Sequence, residues 1–224
     1  MRNPLGDKDE LKLSIIQSDC VNENCNDYTD YFEFEQGQKN INVKGRLKKH
    51  LQFWKDIGAN SYILSVIETG YKIPFITTPP KSFLKNNKSA IEHKDFVAEA
   101  ISELLKSGSV KRLNKPPTVV NPLTVAVNAK GKKRLVLDLR YVNPHIWKER
   151  IKFDDWKIAS MYLNEGCYMF AFDLKSGYHH VEIDTRYQEF LGFAWEFEGE
   201  IRYFSFTVLP FGLPSAGHIF TKIV

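Results

Sequence analysis

A single aspartate follows an apolar run in the second half of the chain, and a Ser-Gly-Tyr sequence comes soon after it. The stretch at 170–180 reads FAFDLKSGYHH, and Asp173 ends the run that starts at Tyr168. A strand that ends in a turn explains the pattern, because Asp, Ser and Gly are common turn residues. A stiff strand that presents one carboxylate to a metal ion or a substrate explains it equally well. The motifs elsewhere in the chain must separate these two interpretations.

Three other groups of residues could do chemistry. The sequence KGKKR at 130–134 is typical of a solvated hairpin end, and a phosphate contact is the functional alternative. His179 and His180 lie near Glu182, which suggests a metal site, but on a strand the two histidines point to opposite faces. We therefore expect both histidines to be ordinary surface residues. The sequence PFG at 210–212 is consistent with a simple turn before a helix.

Apolar residues at helical spacing predict helices before these motifs. The first helix extends from Leu47 to Ile57 and ends at Gly58, and the apolar segment 61–75 is ambiguous between strand and helix. Residues 77–88 are expected to form a loop. Ser89 and Glu92 have capping-box spacing and predict a second helix that ends at Gly108. The predicted buried face of this helix consists of Phe96, Ala100, Ile101, Leu104 and Leu105.

From residue 116 onwards the period changes to two, which is typical of strands. The elements expected here are a hairpin of 123–128 with 134–140, a short helix within 151–165, the strand Tyr168–Asp173, a helical turn at 184–190, a hairpin at 191–206 and a helix with Pro214 in its first turn. The fold class predicted from these elements is α/β (α+β) with an antiparallel sheet.

Charge and composition divide the chain into an acidic arm and a basic body. Residues 1–42 contain 4 Lys+Arg against 9 Asp+Glu and are expected to be a disordered arm, whereas the other 182 residues contain 27 against 18. The basic body favours a polyanionic partner. We expect no membrane span and no secretory signal, and the three cysteines fit a reduced intracellular compartment, cytoplasmic or nuclear. The expected regions are the arm 1–42, a helical region 43–115 and a motif-bearing region 116–224.

Three sequence blocks occur in an order that resembles the reverse transcriptases of retroelements. KKRLVLDLRYVN at 132–143 resembles their fingers strand, FAFDLKSGYHHVEI at 170–183 their first catalytic motif, and VLPFGLPSAGHIF at 208–220 the motif that follows it. The resemblance covers residues 43–224 and is closest to DIRS-type retrotransposons, with gypsy-type elements next. It implies the fingers and the first half of the palm of a right-hand polymerase. The implied activity is RNA-directed DNA synthesis, with an RNA or DNA template–primer and deoxynucleoside triphosphates as partners.

The resemblance also implies roles for individual residues. Asp173 and the carbonyl of Leu174 would bind Mg²⁺, since this chemistry uses two magnesium ions about 4 Å apart. The backbone of Lys175, Ser176 and Gly177 would curl under the triphosphate, and Tyr178 would pack beneath the sugar and exclude a 2′-hydroxyl.

The phosphates would be gripped by Arg134, because its planar fork of donors suits them, together with Lys130 or Lys132. Phe211 and Gly212 would line the nucleotide pocket near the template base. Asp138, Arg140 and Asn143 also occupy familiar positions of the fingers block.

One motif of the family has no counterpart in the sequence. No Tyr-x-Asp-Asp sequence occurs, and Asp154-Asp155 precedes Asp173 in a polar stretch. The expectation is a fragment that does not polymerise by itself, although its parent polypeptide does. The alternative is a degenerate element product that at most binds nucleic acid.

Overall fold

The computed structural model describes residues 42–148, 156–161, 174 and 176–224. The chain divides into two units, of which Ile41–Ile151 with Ser176–Val224 is the larger and Met1–Asn40 with Lys152–Lys175 the smaller. Residues 1–41 of the predicted arm and the predicted strand Tyr168–Asp173 lie outside the described residues.

The described residues of the larger unit form two sheets. Seven strands form them: β1 (Ser82–Phe83), β2 (Val110–Leu113), β3 (Val119–Asn121), β4 (Leu123–Val127), β5 (Lys133–Leu137), β6 (Gly192–Phe197) and β7 (Glu200–Phe206). The five-stranded sheet has the order β1-β3-β6-β7-β2, and β4 pairs with β5 separately. β6, β7 and β2 pair antiparallel, whereas β3 pairs parallel with both β1 and β6. The mixed α/β class with antiparallel pairing is confirmed, and the two parallel pairings extend that sheet.

The β6–β7 hairpin is confirmed and closes through a two-residue turn. Glu198 and Gly199 both have positive φ, 53° and 81°, as the tight turns that match the twist of paired strands require. Phe193 and Phe204 lie opposite each other in the ladder, and their stacked ring centroids are 5.2 Å apart. Both rings are fully buried and belong to the main hydrophobic core.

The β4–β5 hairpin is also confirmed, but β5 ends at Leu137 rather than at Arg140. Its ladder extends from Leu123 opposite Leu137 to Val127 opposite Lys133. The side-chain Oδ1 of Asn128 organises the turn, because it accepts the N–H groups of Lys130 (3.0 Å) and Lys132 (2.8 Å). We call residues 128–134 the hairpin tip.

Between residue 42 and the first described strand, the chain forms three helices. The predicted first helix is interrupted at His50 and forms α1 (Arg46–Lys49) and α2 (Leu51–Asp56). The ambiguous segment that follows is a helix, α3 (Ser61–Thr69), whose N-cap Asn60 accepts the N–H of Ile63 through its side chain at 2.9 Å. A cap of this kind satisfies one of the unpaired donors of the first turn.

The predicted second helix is also two helices, α4 (Lys88–Glu92) and α5 (Lys94–Lys106). The capping-box prediction is wrong, because α4 begins after Asn87. Ser89 Oγ instead accepts the N–H of Val125 in β4 at 3.1 Å, so its hydroxyl ties the helix to the hairpin.

The predicted buried face of α5 is partly correct. Ile101 is fully buried, but Leu105 is 37% exposed, and the fully buried Val97 was not predicted.

Two helices follow in the second half of the chain. α6 (Trp156–Ser160) is in the smaller unit, within the segment where a short helix is predicted. α7 (Ala216–Ile223) confirms the last predicted helix, but Pro214 does not lie in its first turn, because Ser215 is the N-cap residue. Short 3₁₀ helices occur at Asn143–His145, Gly177–His180 and Gln188–Phe190, and the last confirms the helical turn predicted there. None of the described helices is long and apolar enough to cross a membrane.

Candidate functional site

The sequence Gly-Tyr-His-His forms a 3₁₀ turn rather than a strand. Ser176 precedes it in the left-handed region (φ 53°, ψ 42°), and the N–H of His179 donates to the carbonyl of Ser176 at 2.8 Å. The prediction that His179 and His180 alternate along a strand is therefore wrong.

Gly177 is required by a close approach to α7. A Cβ atom at this position would lie 2.8 Å from Cζ of Phe220, which is closer than non-bonded carbon atoms normally come. The glycine therefore allows the 3₁₀ turn to pack against the aromatic ring of Phe220. The described residues give no test of the predicted approach of this backbone to a triphosphate.

Tyr178 packs between two aromatic rings that come from the third sequence block. Its ring centroid lies 5.0 Å from that of Phe211 and 5.3 Å from that of Phe220, the latter in an edge-to-face arrangement. Burial raises the pKa of the Tyr178 phenol. We call these three residues the Tyr178 cluster. Two sequence-predicted site residues, Tyr178 and Phe211, are thus in direct contact.

The Phe211-Gly212 turn joins this cluster to the end of β5. Phe211 is 55% exposed, so one side of its ring is open to solvent. Gly212 has φ 94°, and a Cβ atom there would lie 3.4 Å from the carbonyl oxygen of Leu137. The carbonyl of Gly212 also accepts a hydrogen bond from Asn143 Nδ2 at 3.0 Å. The first and third sequence blocks therefore meet at this turn.

The predicted phosphate-binding residues lie on the exposed hairpin tip. Arg134 pairs with Ala126 in the β4–β5 ladder and is exposed, as are Lys130 and Lys132 in the turn. Arg134 lies three positions before Leu137, which corresponds to about 10 Å along a strand. The two side chains point to opposite faces of β5, because successive side chains alternate in a strand.

Asp138 has a structural role directly after β5. Its carboxylate accepts hydrogen bonds from the Arg140 guanidinium at 2.6–3.0 Å and from Asn87 Nδ2 at 3.0 Å. The bonds from Arg140 lower the pKa of Asp138 to about 2, against the opposing effect of burial. This turn fixes the direction in which the chain leaves the hairpin.

His179 lies beside the Tyr178 cluster, and its burial was not predicted from the sequence. It is half-buried rather than on the surface, with Nδ1 3.3 Å from Ser109 Oγ and its ring centroid 6.3 Å from that of Phe211. Burial lowers the pKa of His179, and the neighbouring His180 lowers it further. The sequence prediction assumed a strand, in which the two histidines would point to opposite faces. The segment is instead a 3₁₀ turn, and His179 is half-buried in it.

The remaining predicted residues belong to the first catalytic block. Asp173 and Lys175 lie outside the described residues, Leu174 is 40% exposed, and Ser176 is exposed. Among the described residues, no group of three or more His, Cys, Asp or Glu side chains is placed to hold a metal ion. The predicted magnesium ligand Asp173 lies outside the part of the chain that was searched, so its role stays a prediction.

Sequence comparison relates the chain to retrotransposon polyproteins. No protein-family model matches it. It is 30% identical over 135 residues to the retrovirus-related Pol polyprotein from transposon gypsy of Drosophila melanogaster, covering 57% of this chain and 12% of that protein. It is 27% identical over 146 residues to the corresponding polyprotein from transposon 412 of the same organism, covering 63% of this chain and 12% of that protein.

A structural comparison finds the protease–reverse transcriptase of prototype foamy virus, at a TM-score of 0.47 and 22% identity, over 66% of this chain and 19% of that one. The chain thus spans about an eighth of the length of the Pol polyproteins that it matches. It is similar in sequence to one segment of retrotransposon Pol polyproteins.

Proposed function

We propose that this chain is the fingers and first palm segment of a retrotransposon reverse transcriptase, closest to the DIRS type. In the complete enzyme this segment takes part in RNA-directed DNA synthesis, in which a deoxynucleoside triphosphate is added to a primer 3′-hydroxyl. The sequence similarity to retrotransposon Pol polyproteins supports the part of the proposal that assigns the chain to a retrotransposon.

The contact of Tyr178 with Phe211 is the observation that carries the proposal. These residues are 33 positions apart and belong to different motifs, yet their ring centroids are 5.0 Å apart. Gly212, next to Phe211, approaches Leu137, the last residue of β5, and Arg134 lies near the first residue of the same strand. Residues to which the resemblance assigns one nucleotide pocket are therefore neighbours in space or on adjoining elements.

In this proposal the pocket contacts the sugar and the base of the incoming nucleotide. The Tyr178 ring lies beneath the deoxyribose and excludes a 2′-hydroxyl, and the exposed side of Phe211 with Gly212 faces the base. Arg134, with Lys130 or Lys132, binds the phosphates, because exposed cations on a hairpin can close over a polyanion. The backbone of residues 175–177 completes the phosphate contacts.

Magnesium would be held by Asp173 and the carbonyl of Leu174. When bound, the metal ions neutralise charge on the attacking and leaving oxygens. Magnesium prefers oxygen ligands and typically takes one or two protein carboxylates with phosphates and waters. Since the sequence contains no Tyr-x-Asp-Asp, we propose that the complete site requires further carboxylates from that motif.

A degenerate element product that only binds nucleic acid is the second candidate. The basic balance of residues 43–224, with 27 Lys+Arg against 18 Asp+Glu, favours it, since binding to phosphates requires no metal site.

Primer extension separates the two candidates. The 224-residue chain is compared with a lengthened chain that includes a Tyr-x-Asp-Asp segment from a related element, each on an RNA template with a DNA primer and Mg²⁺. We expect the lengthened chain to extend the primer, its Asp173→Asn variant to be inactive, and the 224-residue chain to be inactive. A lengthened chain that binds template–primer without extending it would favour the degenerate product.

A further inference from the structure

The outward face of α1 and α2 carries a concentration of positive charge outside the motifs discussed so far. Residues 44–58 contain five Lys or Arg and one acidic residue, Asp56, whose carboxylate accepts a hydrogen bond from Gln52 at 2.8 Å. Four exposed cations on the two helices form no salt bridge with any described carboxylate: Arg46, Lys48, Lys49 and Lys55. We call these four residues the basic face.

Two exposed apolar side chains lie among these cations. Phe53 is 56% exposed and Ile57 is 57% exposed. Arg46 and Lys49 are three residues apart in α1, and Phe53 and Ile57 are four residues apart at the end of α2, so each pair lies on one side of its own helix. The opposite side is occupied, because Leu47, Leu51 and Trp54 pack against the core.

The basic face is anchored beside the Tyr178 turn. A small cavity lies between Gly45, Leu47 and Lys48 on one side and His180, Val181 and Glu182 on the other. A Cβ atom at Gly45 would lie 3.6 Å from Glu182 Oε1, so the helix begins in contact with the chain that leaves the turn.

A second anchor comes from Lys44. Its Nζ donates to the carbonyl of Gly108 at 3.0 Å, and the adjacent Ser109 contacts His179. The start of α1 is therefore fixed to the same framework that holds the candidate nucleotide pocket.

We propose that the basic face binds the phosphate backbone of the template–primer and extends the nucleic-acid track beyond the nucleotide pocket. The proposal rests on the proposed function, and it assigns the partner of a surface that none of the three motifs includes. Neutralising backbone phosphates with Lys and Arg releases condensed counterions, which drives such binding. The exposed ring of Phe53 offers a platform on which an unpaired base can stack.

The same features disfavour a membrane as the partner. An interfacial helix inserts a wide apolar face into the lipid, with cations on the other side. Here the wide apolar face, with Leu47, Leu51 and Trp54, packs against the protein core. Phe53 and Ile57 are exposed, but two side chains form a narrow patch rather than a wide face.

Fluorescence anisotropy of the 224-residue chain tests the proposal. The probe is an RNA–DNA heteroduplex with a single-stranded RNA overhang, measured over a series of salt concentrations. In the test variant the basic face is changed by Arg46→Gln, Lys48→Gln, Lys49→Gln and Lys55→Gln. In the matched control the same charge is removed from four exposed lysines elsewhere, by Lys81→Gln, Lys85→Gln, Lys94→Gln and Lys106→Gln.

We expect the test variant to bind at least roughly tenfold more weakly and its salt slope to decrease by about 0.9 for each phosphate that the protein no longer neutralises. The control variant should keep the slope of the parent chain. If both variants lose the same affinity for the heteroduplex, net charge alone determines binding. If the test variant keeps the parental affinity, the basic face is only solvated. Either result overturns the proposal. Tighter binding to phosphatidylserine vesicles than to the heteroduplex would assign the face to a membrane and overturn it too.

Photo-crosslinking provides a readout that does not depend on the stability of the variants. A photoreactive phenylalanine at position 53 should crosslink to the RNA overhang, whereas the same residue at position 91, where Ile91 is 58% exposed on α4, should not. Absence of the crosslink at position 53 contradicts the proposal. The lengthened chain distinguishes this proposal from the proposed function. If it binds the heteroduplex through the basic face but does not extend a primer, the result counts against the polymerase activity and supports nucleic-acid binding by this surface.

Discussion

The Tyr178 cluster and the hairpin tip both belong to the predicted nucleotide site, and they are held in opposite ways. In the cluster, Tyr178 lies against two rings that come from the third sequence block, at 5.0 and 5.3 Å. On the tip, Arg134 and the two lysines are exposed on a turn that Asn128 organises locally. The contrast is between a packed aromatic cluster and an exposed basic turn, so changes in the first should affect folding and changes in the second should affect binding.

The largest effect is expected on the exposed side of this comparison. In the lengthened chain, Arg134→Gln should lower kcat/KM for the deoxynucleotide by about 100-fold, because it removes the positive charge that is proposed to bind the phosphates. Its free energy of unfolding should change by less than about 0.5 kcal/mol, as is usual for exposed positions. Steady-state kinetics and urea denaturation measure the two quantities.

Lys133→Gln is the matched control for this variant. Lys133 is the adjacent residue of β5, and its side chain points to the other face of the strand. Equal decreases of activity in both variants would show that the tip acts through its total charge and not through Arg134.

A smaller effect is expected in the packed cluster. Gly177→Ala should reduce the free energy of unfolding by about 1–2 kcal/mol, because the new methyl group overlaps the ring of Phe220. Phe220→Leu should recover part of this decrease when the two changes are combined. A double-mutant cycle with no coupling between the two positions would contradict the packing described here.

The smallest effect concerns the turn at Asp138 and Arg140, directly after β5. Hydrogen bonds from Arg140 lower the folded-state pKa of Asp138 from 3.8 to about 2, so the ionised carboxylate stabilises the fold. This contribution is complete above about pH 4 and disappears as the pH falls towards 2. Asp138→Asn should therefore cost about 1 kcal/mol at pH 7, since Arg140 is largely exposed, and much less at pH 2. A cost that stays constant over this range would contradict the assigned ion pair.

Elements with a clear period were predictable from the sequence. The β6–β7 hairpin has a Glu-Gly turn between two aromatic-rich strands, and it lies within the predicted range 191–206. β1 and β3 are two and three residues long, too short to show any period, and their parallel pairing depends on distant segments. Likewise, Ser89 has the spacing of a capping residue, but its hydroxyl bonds to Val125 across the fold.

The candidate site, too, was only partly predictable from the sequence. The motifs predicted which residues contribute, and the contact of Tyr178 with Phe211 agrees with that grouping. The burial of His179 was not predicted, because the segment was expected to be a strand. Ser176 has a left-handed backbone, and a 3₁₀ turn follows it. A non-glycine residue in this conformation is uncommon, so local propensity did not indicate it.

Nucleotide selectivity of the lengthened chain tests the central claim most directly. Incorporation of a ribonucleotide and of the matching deoxynucleotide is measured for the parent sequence and for Tyr178→Val, with Phe220→Leu as a control that loosens the cluster without removing the Tyr178 ring. We predict that Tyr178→Val increases the ribonucleotide-to-deoxynucleotide ratio of kcat/KM roughly tenfold or more, because the ring no longer excludes the 2′-hydroxyl. The control should keep the parental ratio. An equal decrease of both activities in Tyr178→Val would contradict the account and leave Tyr178 as a packing residue.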